Sequence, residues 1–335
     1  MVSMRGLLVV NPAATTTTER VRDVLVTALS ADVAVETVIT KGRGHAAELG
    51  QRASETGVDV VIALGGDGTV NEVVNGLLHG GPRPDAPALA VVPGGSTNVF
   101  ARALGYSASP VEATGELLAN LRDGRTRLVG LGHARWAGEA RWFTFCAGMG
   151  LDAEVVGRVE RRRSGGRPNS AGLFLRSAVA RYGRGIGRDR VGINLELEAG
   201  PEIPRTAAET QDGAEESAAT PDREVTVAIV CNAVPWTYLG GMPVRACPEA
   251  SFDTGLDLLG LRRARLSSLL RTTGQMLAGD RGPHGRNVVL EHDLTRIRMT
   301  AAPTAPFQMD GEYLGEHAEV ELTAHPQALR VIAAV

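Results

Sequence analysis

The chain has 335 residues, 43% of them hydrophobic and 4% aromatic, with 35 Lys+Arg against 38 Asp+Glu and a formal net charge of −3. That length points to two domains of ordinary size, and the near-neutral balance excludes a surface built throughout to grip nucleic acid. No apolar run reaches the roughly 18 residues that a membrane-spanning helix needs, and Met1 to Asn11 lacks the apolar core of a secretory signal, so a cytoplasmic protein is expected.

From the N-terminus, Gly6 to Val10 is predicted as a strand, Glu19 to Leu29 as a helix with apolar Val21, Val24, Leu25, Ala28 and Leu29, and Val33 to Ile39 as a second strand. There follow a helix over His45 to Glu55, an almost wholly apolar strand over Val58 to Leu64, and a helix over Thr69 to Leu78. A strand over Ala88 to Val92 and helices over Val99 to Leu104 and Pro110 to Leu121 complete the series. Strict alternation requires crossover connections, which favour a parallel sheet covered on both faces. Residues 1–127 are therefore expected to form a doubly wound α/β domain.

From Arg127 onward the rhythm changes to short strands: Arg141 to Ala147, Val191 to Glu198, Val225 to Cys231, Gly255 to Leu261, Val288 to Glu291, Arg296 to Thr300 and Ala318 to Leu322. Helical segments interrupt them at Ala171 to Tyr182 and Ser267 to Leu277. Residues 128–335 are expected to form a mostly antiparallel β-sandwich domain whose last residues can return to the first domain. Residues 199–223 lack apolar periodicity and are expected to be a mobile loop between two strands. The three cysteines, Cys146, Cys231 and Cys247, are too few and too scattered for a disulfide framework or a zinc site.

The strongest chemical signal is VDVVIALGGDGTVNEVVNGLL, Val58 to Leu78. A buried strand ends at Leu64, a turn of Gly65, Gly66, Asp67 and Gly68 brings backbone within reach of a ligand, and Thr69 is placed to N-cap a helix with Glu72 completing a capping box. The unpaired amides of that helix start would face the carboxyl edge of the sheet, where phosphates bind in such folds. Tight turns need glycine in any case; the acidic residue inside this one adds information. Asp67 would repel a phosphate unless a metal ion or a hydroxyl donor stood between them, which suggests Mg²⁺-linked phosphoryl chemistry. ALAVVPGGSTNVFARALG, Ala88 to Gly105, repeats the arrangement. Two such turns would border one crevice, with Asn98 and Arg102 four residues apart on one helix face, unless Arg102 is merely solvated.

Together NP (Asn11, Pro12), GGDGTVNEVVNGL (Gly65 to Leu77), PGGSTNVFARALG (Pro93 to Gly105), GLDAEV (Gly150 to Val155), GGMPVRACPEASFDTGLDLL (Gly240 to Leu259) and MDGE (Met309 to Glu312) resemble the diacylglycerol kinase catalytic-domain family. That family includes bacterial soluble lipid kinases and the sphingosine and ceramide kinases. The resemblance runs over nearly the whole chain in the family's order. It implies an ATP-dependent kinase acting on a lipid hydroxyl, with diacylglycerol the default substrate, nucleotide in the N-terminal domain and lipid entering between the domains.

By position, Gly65, Gly66, Asp67, Gly68 and Thr69 resemble the nucleotide-phosphate loop. Asn11, Thr40, Gly94, Gly95, Ser96, Thr97 and Asn98 resemble the rest of the ATP site, with Glu72 helping to fix the loop and Glu312 grouped with the nucleotide residues. Asp310 resembles the general base proposed for bacterial members, while Asp67 matches a residue given that role in the sphingosine kinases. Asp310 is preferred here as base, because Asp67 is better placed to manage metal and phosphate. On residues alone, Asp310-Gly311-Glu312 is an ordinary turn between strands. Asp253, Leu256 and Asp257 resemble a structural Mg²⁺ site, although Thr254 stands where a second acidic residue is common. Two further departures are the Ala-Ala-Thr-Thr-Thr-Thr run after Pro12 and Val99 after Asn98, where an acidic residue is frequent.

Only Lys41 among the basic residues is lysine, a bias that is mainly compositional. Arg158 to Arg190 holds ten arginines against Glu160 and Asp189, a local net of +8 around a segment with Leu173, Phe174, Ala178 and Tyr182 near one helix face. Such a segment either rests on an anionic membrane surface or packs its apolar side inward and leaves the arginines solvated. The partners expected are therefore a lipid substrate and, through this segment, the membrane surface, with no nucleic acid and with oligomeric state open. Competing functions are an NAD kinase or phosphofructokinase-like kinase, which share the GGDG turn, and a lipid-binding relative without turnover.

Overall fold

The computed structural model describes residues 4–14, 19–151, 153, 154, 156, 191–200, 224–239, 241–279 and 281–333. The arginine-rich segment and its helix, and residues 201–223 of the expected loop, lie outside them.

The N-terminal part alternates as the sequence requires: β1 (Arg5–Val10), α1 (Glu19–Asp32), β2 (Ala34–Ile39), α2 (His45–Thr56), β3 (Val60–Gly65), α3 (Asp67–Leu77), β4 (Ala88–Pro93), α4 (Val99–Ala103) and α5 (Pro110–Arg122). The parallel strands run β2-β1-β3-β4 across the sheet, with Gly6 opposite Val60 and Gly65 opposite Pro93. β3 and β4 are buried at every position because helices cover both faces, whereas edge strand β2 carries Glu36 and Thr37 outward. Helices α2 and α3 approach closely through two glycines. A Cβ on Gly50 would lie 2.6 Å from Val73 O, and one on Gly76 would overlap Ala47 O and come within 2.7 Å of Gln51 N.

The strand-rich part comprises β5 (Thr126–Trp136), β6 (Glu139–Phe143), β7 (Cys146–Gly150), β8 (Ile193–Ala199), β9 (Val227–Cys231), a small hairpin of β10 (Thr237–Leu239) and β11 (Met242–Val244), β12 (Leu256–Leu261), α6 (Leu266–Ala278), β13 (Val288–Met309) and β14 (Glu312–Ile332). Two of the expected strand assignments differ from the structure. The strand expected over Arg141 to Ala147 is two strands, broken at Thr144 and Phe145, whose amides turn inward to a carboxylate. The strands expected over Val288 to Glu291 and Arg296 to Thr300 are one, β13, which exchanges partners along its length from β12 to β8, β14 and β7. Apolar alternation lapses between them at Glu291, His292 and Asp293, so the join is invisible in the pattern.

The two parts share hydrogen bonding. The sheet continues from β4 into β14 and on through β13, β7 and β9 to β12. β14 runs antiparallel to β5 and, at its end, parallel to β4, where Val331 faces Leu89. Tyr106, after α4, reinforces this closure by donating its hydroxyl to Ile332 O at 2.6 Å. One apolar core lies under the parallel strands, a second between β13, β14 and β7, and a third beneath α6 around Ile229, Val244 and Leu259.

Gly76→Ala should destabilise the protein by about 2 to 3 kcal/mol in urea denaturation, because α2 and α3 cannot separate without losing their shared core. Gly68→Ala, where no atom lies within 4 Å of the added carbon, serves as the control and should change stability little.

Candidate active site

The carboxyl ends of the four parallel strands bring together most of the residues singled out in the N-terminal part. Asn11 follows β1, Thr40 follows β2, Gly65 ends β3, and Gly94 follows β4. Asn11 is fixed by its own turn, Oδ1 accepting from Ala13 N at 2.9 Å, and its Nδ2 donates to Thr69 Oγ1 at 2.8 Å. Thr40 N donates to Val10 O at 2.8 Å and so belongs to the same edge.

The two glycine turns are seated against each other. Gly94 N donates to Gly65 O at 2.8 Å, and a Cβ on Gly95 would stand 2.7 Å from Gly66 Cα. Glycine is required here by close approach of backbone to backbone. The second turn is closed by Asn98, which holds φ 49°, accepts from Gly95 N at 2.8 Å and donates to Gly95 O at 2.7 Å. Asn98 is therefore spent on loop shape. Arg102, expected on the same face, instead lays its guanidinium over the Tyr238 ring of β10, 3.2 Å from the centroid. Ser96 is exposed and Thr97 half-buried at the tip, leaving two hydroxyls toward the crevice edge.

The capping box is absent. α3 begins at Asp67, with Gly66 as its N-cap and no side-chain cap, so Thr69 lies inside the first turn. Its hydroxyl meets Asn11, and Glu72 Oε2 accepts from Ala46 N at 3.2 Å, at the start of α2. Glu72 thus caps a neighbouring helix, an outcome that local spacing cannot reveal.

Asp67 projects from the first turn to the second, where its Oδ1 accepts from Phe100 N at 3.2 Å. Burial raises its pKa from 3.8 to about 6, with a smaller upward push from Asp310, against backbone N–H groups of residues 98–100 that lower it. It is an ordinary carboxylate turned into a better proton acceptor by its surroundings.

Asp310 has a different environment. It occupies the β13–β14 turn with Gly311, φ 45° and 78°, the paired left-handed conformation that an Asp-Gly hairpin favours. Its Oδ2 accepts from Asn71 Nδ2 at 2.7 Å, Thr144 N at 2.7 Å and Thr144 Oγ1 at 2.8 Å, and its Oδ1 from Phe145 N at 3.0 Å and Cys146 N at 3.1 Å. Three successive amides form a nest around the carboxylate. Both oxygens are committed, which argues against the preference for Asp310 as the proton acceptor.

Asn71 and Asn75, one turn apart on α3, were passed over in the sequence although both lie within the NEVVNGL motif. Asn71 is buried and connects Asp310 to Arg141, whose Nε and Nη2 donate to Asn71 Oδ1 at 2.9 and 2.5 Å. Arg141 Nη2 also meets Glu312 Oε2 at 2.8 Å, and Arg43 pairs with the other Glu312 oxygen. Asn75 clips β6 by donating to Trp142 O at 3.0 Å and accepting from Trp142 N at 2.8 Å. Glu312 therefore lies in an arginine-bound network beside the crevice. Two asparagines at i and i+4 on a helix were the available signal.

Asp253 and Asp257 are not brought into one ligand set. Asp253 is exposed and paired with Arg127 at 2.5 Å; Asp257 is buried, its Oδ1 meeting His292 Nδ1 at 2.8 Å and Asp293 N at 3.2 Å. Leu256 lies within β12. Among the described residues no three His, Cys, Asp or Glu gather around a common point. With both carboxylates engaged by the protein's own donors, these residues do not fit the structural magnesium site that the resemblance implied.

Comparison with known proteins bears on the same residues. Residues 5–134 match the family described as "Diacylglycerol kinase catalytic domain". The chain is 28% identical over 275 residues, 81% of its own length and 77% of the relative's, to "Diacylglycerol kinase" of Bacillus subtilis strain 168. It is 47% identical over 75 residues, 24% of the relative's length, to "Probable lipid kinase YegS-like" of Chromohalobacter salexigens. The fold is similar to a crystal structure titled as a putative diacylglycerol kinase from Bacillus anthracis, with TM-score 0.69 and 19% identity over 100% of this chain and 98% of that one.

The two carboxylates should respond to substitution in opposite directions. Folding raises the Asp67 pKa, so its ionised form is penalised in the native state; that penalty is absent below about pH 4 and complete above about pH 6. Asp67→Asn should then raise stability at pH 8, by up to roughly 3 kcal/mol. Asp310→Ala strands buried donors and should cost at least about 3 kcal/mol. Urea denaturation of both variants at pH 8 measures the contrast.

Proposed function

We propose that this chain, whose residues 5–134 match the diacylglycerol kinase catalytic-domain family, is an ATP-dependent lipid kinase that transfers the γ-phosphate to the hydroxyl of diacylglycerol, giving phosphatidic acid. The observation that carries this reading is the seating of two glycine turns against each other at the ends of parallel strands, bridged by one half-buried carboxylate. Backbone groups of Gly65 to Thr69 and Gly94 to Asn98, with the hydroxyls of Ser96 and Thr97, receive the phosphates; Asn11 and Thr40 border them. A magnesium ion carried in on the nucleotide would neutralise phosphate charge beside these turns.

The acceptor lipid enters from the side of the β13–β14 turn and the small β10–β11 hairpin, where the strand-rich part faces the crevice. Its hydroxyl oxygen bonds to the γ-phosphorus as the bond to the bridging oxygen of ADP breaks, and the hydroxyl proton passes to Asp67. Asp67 suits this role because one of its oxygens bonds Phe100 N and its basicity is raised by burial. Asp310 holds the opposing wall in register through Asn71 and the Thr144–Cys146 amides. Positioning and charge neutralisation supply most of the rate in phosphoryl transfer, so this scaffolding matters as much as the base.

No helix among the described residues is long and apolar enough to cross a membrane. The reading places the enzyme in the cytoplasm, reaching its substrate at the bilayer surface. Docking through Arg158 to Arg190 falls outside the described residues.

Radiolabelled ATP offered with diacylglycerol, NAD and sugar phosphates should place label in the organic phase; label in NAD or sugar, or none, overturns the proposal. Asp67→Asn should lower kcat by about 10² to 10⁴-fold. Wild-type kcat/KM should fall as pH drops, with an inflection near the Asp67 value of about 6, because the acceptor must be ionised. If Asp67→Asn retains wild-type turnover, Asp67 is not the base.

A further inference from the structure

A second surface on the strand-rich part combines charge and apolar exposure. Arg262 to Arg286 contains six arginines and one acidic residue, Asp280, in a stretch centred on α6. The helix buries Thr272 and Met276 against the third core, and Arg245 N donates to Met276 O at 2.9 Å, so α6 lies along β11. Leu270 falls on its other side and is 52% exposed, while Leu269 and Leu277 pack toward the third core. The loop after the helix folds back along it, with His284 N donating to Gln275 Oε1 at 3.2 Å. Beside these stand Leu290, 40% exposed, and Met242, 58% exposed, at the tip of the β10–β11 hairpin.

Elsewhere on the strand-rich part, Arg296 pairs with Glu198 and Glu321, and Arg298 with Glu196 and Glu319. The guanidinium groups of Arg263, Arg265, Arg271, Arg281 and Arg286 are exposed and pair with no carboxylate among the described residues. Unmatched arginines ringing exposed leucine and methionine suit an occupant that is anionic at its surface and apolar just beneath. The same hairpin reaches the crevice through Tyr238, stacked under Arg102 at the end of the second glycine turn.

We propose that the outer face of α6, with the β10–β11 hairpin tip, docks on an anionic bilayer and presents the crevice to its lipid. The choice of a membrane as occupant rests on the lipid-kinase reading above; a nucleic-acid surface would not need leucine and methionine among the charges.

Sedimentation of the full-length protein with phosphatidylcholine vesicles, with and without phosphatidylglycerol, tests this. Wild type should sediment with the anionic vesicles and release as salt rises. At roughly 1 kcal/mol per arginine, Arg263→Gln/Arg265→Gln/Arg271→Gln should bind about a hundredfold more weakly, and Leu270→Ser should weaken binding with the charge intact. Both variants should phosphorylate diacylglycerol in detergent micelles at the wild-type rate. Vesicle binding that survives both variants, absence of wild-type binding, or binding to duplex DNA or RNA in place of vesicles overturns the proposal. Micellar activity reports separately on the kinase reading: its loss in wild type defeats that reading alone.

Discussion

The carboxylate of Asp310 ties three segments of the chain that are far apart in sequence: the β13–β14 turn, the break between β6 and β7, and helix α3. Neutral side chains could not substitute easily, since five donors converge on two oxygens, and each would be left unpaired in a buried setting. The interaction also explains why Thr144 and Phe145 interrupt a strand. Their amides leave the ladder because they have a charged acceptor, which forms stronger hydrogen bonds than a carbonyl does. Through Asn71 the same anchor reaches the helix that begins with the first glycine turn, so the two halves of the crevice are held by one fixed charge.

Asp67 lies at the opposite energetic extreme. It is held in a setting that disfavours its ionised form, while Asp310 is surrounded by donors that suit an anion. Two carboxylates in one crevice with such unlike surroundings divide the work: one maintains geometry, the other keeps a lone pair available. The separation follows from backbone packing, because the glycine turns approach until no side chain fits between them, and that closeness removes water from Asp67 while aligning the amides at the start of α4.

Much of this was legible in the residues. Alternation of apolar strands with amphipathic helices pointed to a parallel sheet covered on both faces, and the two glycine turns announced the crevice because glycine and hydroxyl residues recur there after buried strands. The role of Glu72 was not legible: its spacing from Thr69 fits a capping box, yet its partner is Ala46, twenty-six residues earlier. Asp310 was recognisable as a turn residue and, by resemblance, as a site residue, but the amides it gathers come from a segment more than 160 positions away. The length of β13 was hidden for a related reason. A strand that changes partners along its course changes which face is buried, so no single periodicity describes it.

β14 begins beside the Asp310 turn and ends against β4. Until it is in place, the parallel sheet has an unpaired edge at one of its most apolar strands, every residue of which is buried in the finished protein. A strand synthesised long after β4 is therefore the one that closes the first part made. While the remainder is being made, the edge at β4 stays open to pairing with a neighbouring nascent chain. Vectorial synthesis and sheet order run against each other here, and that conflict falls on β4.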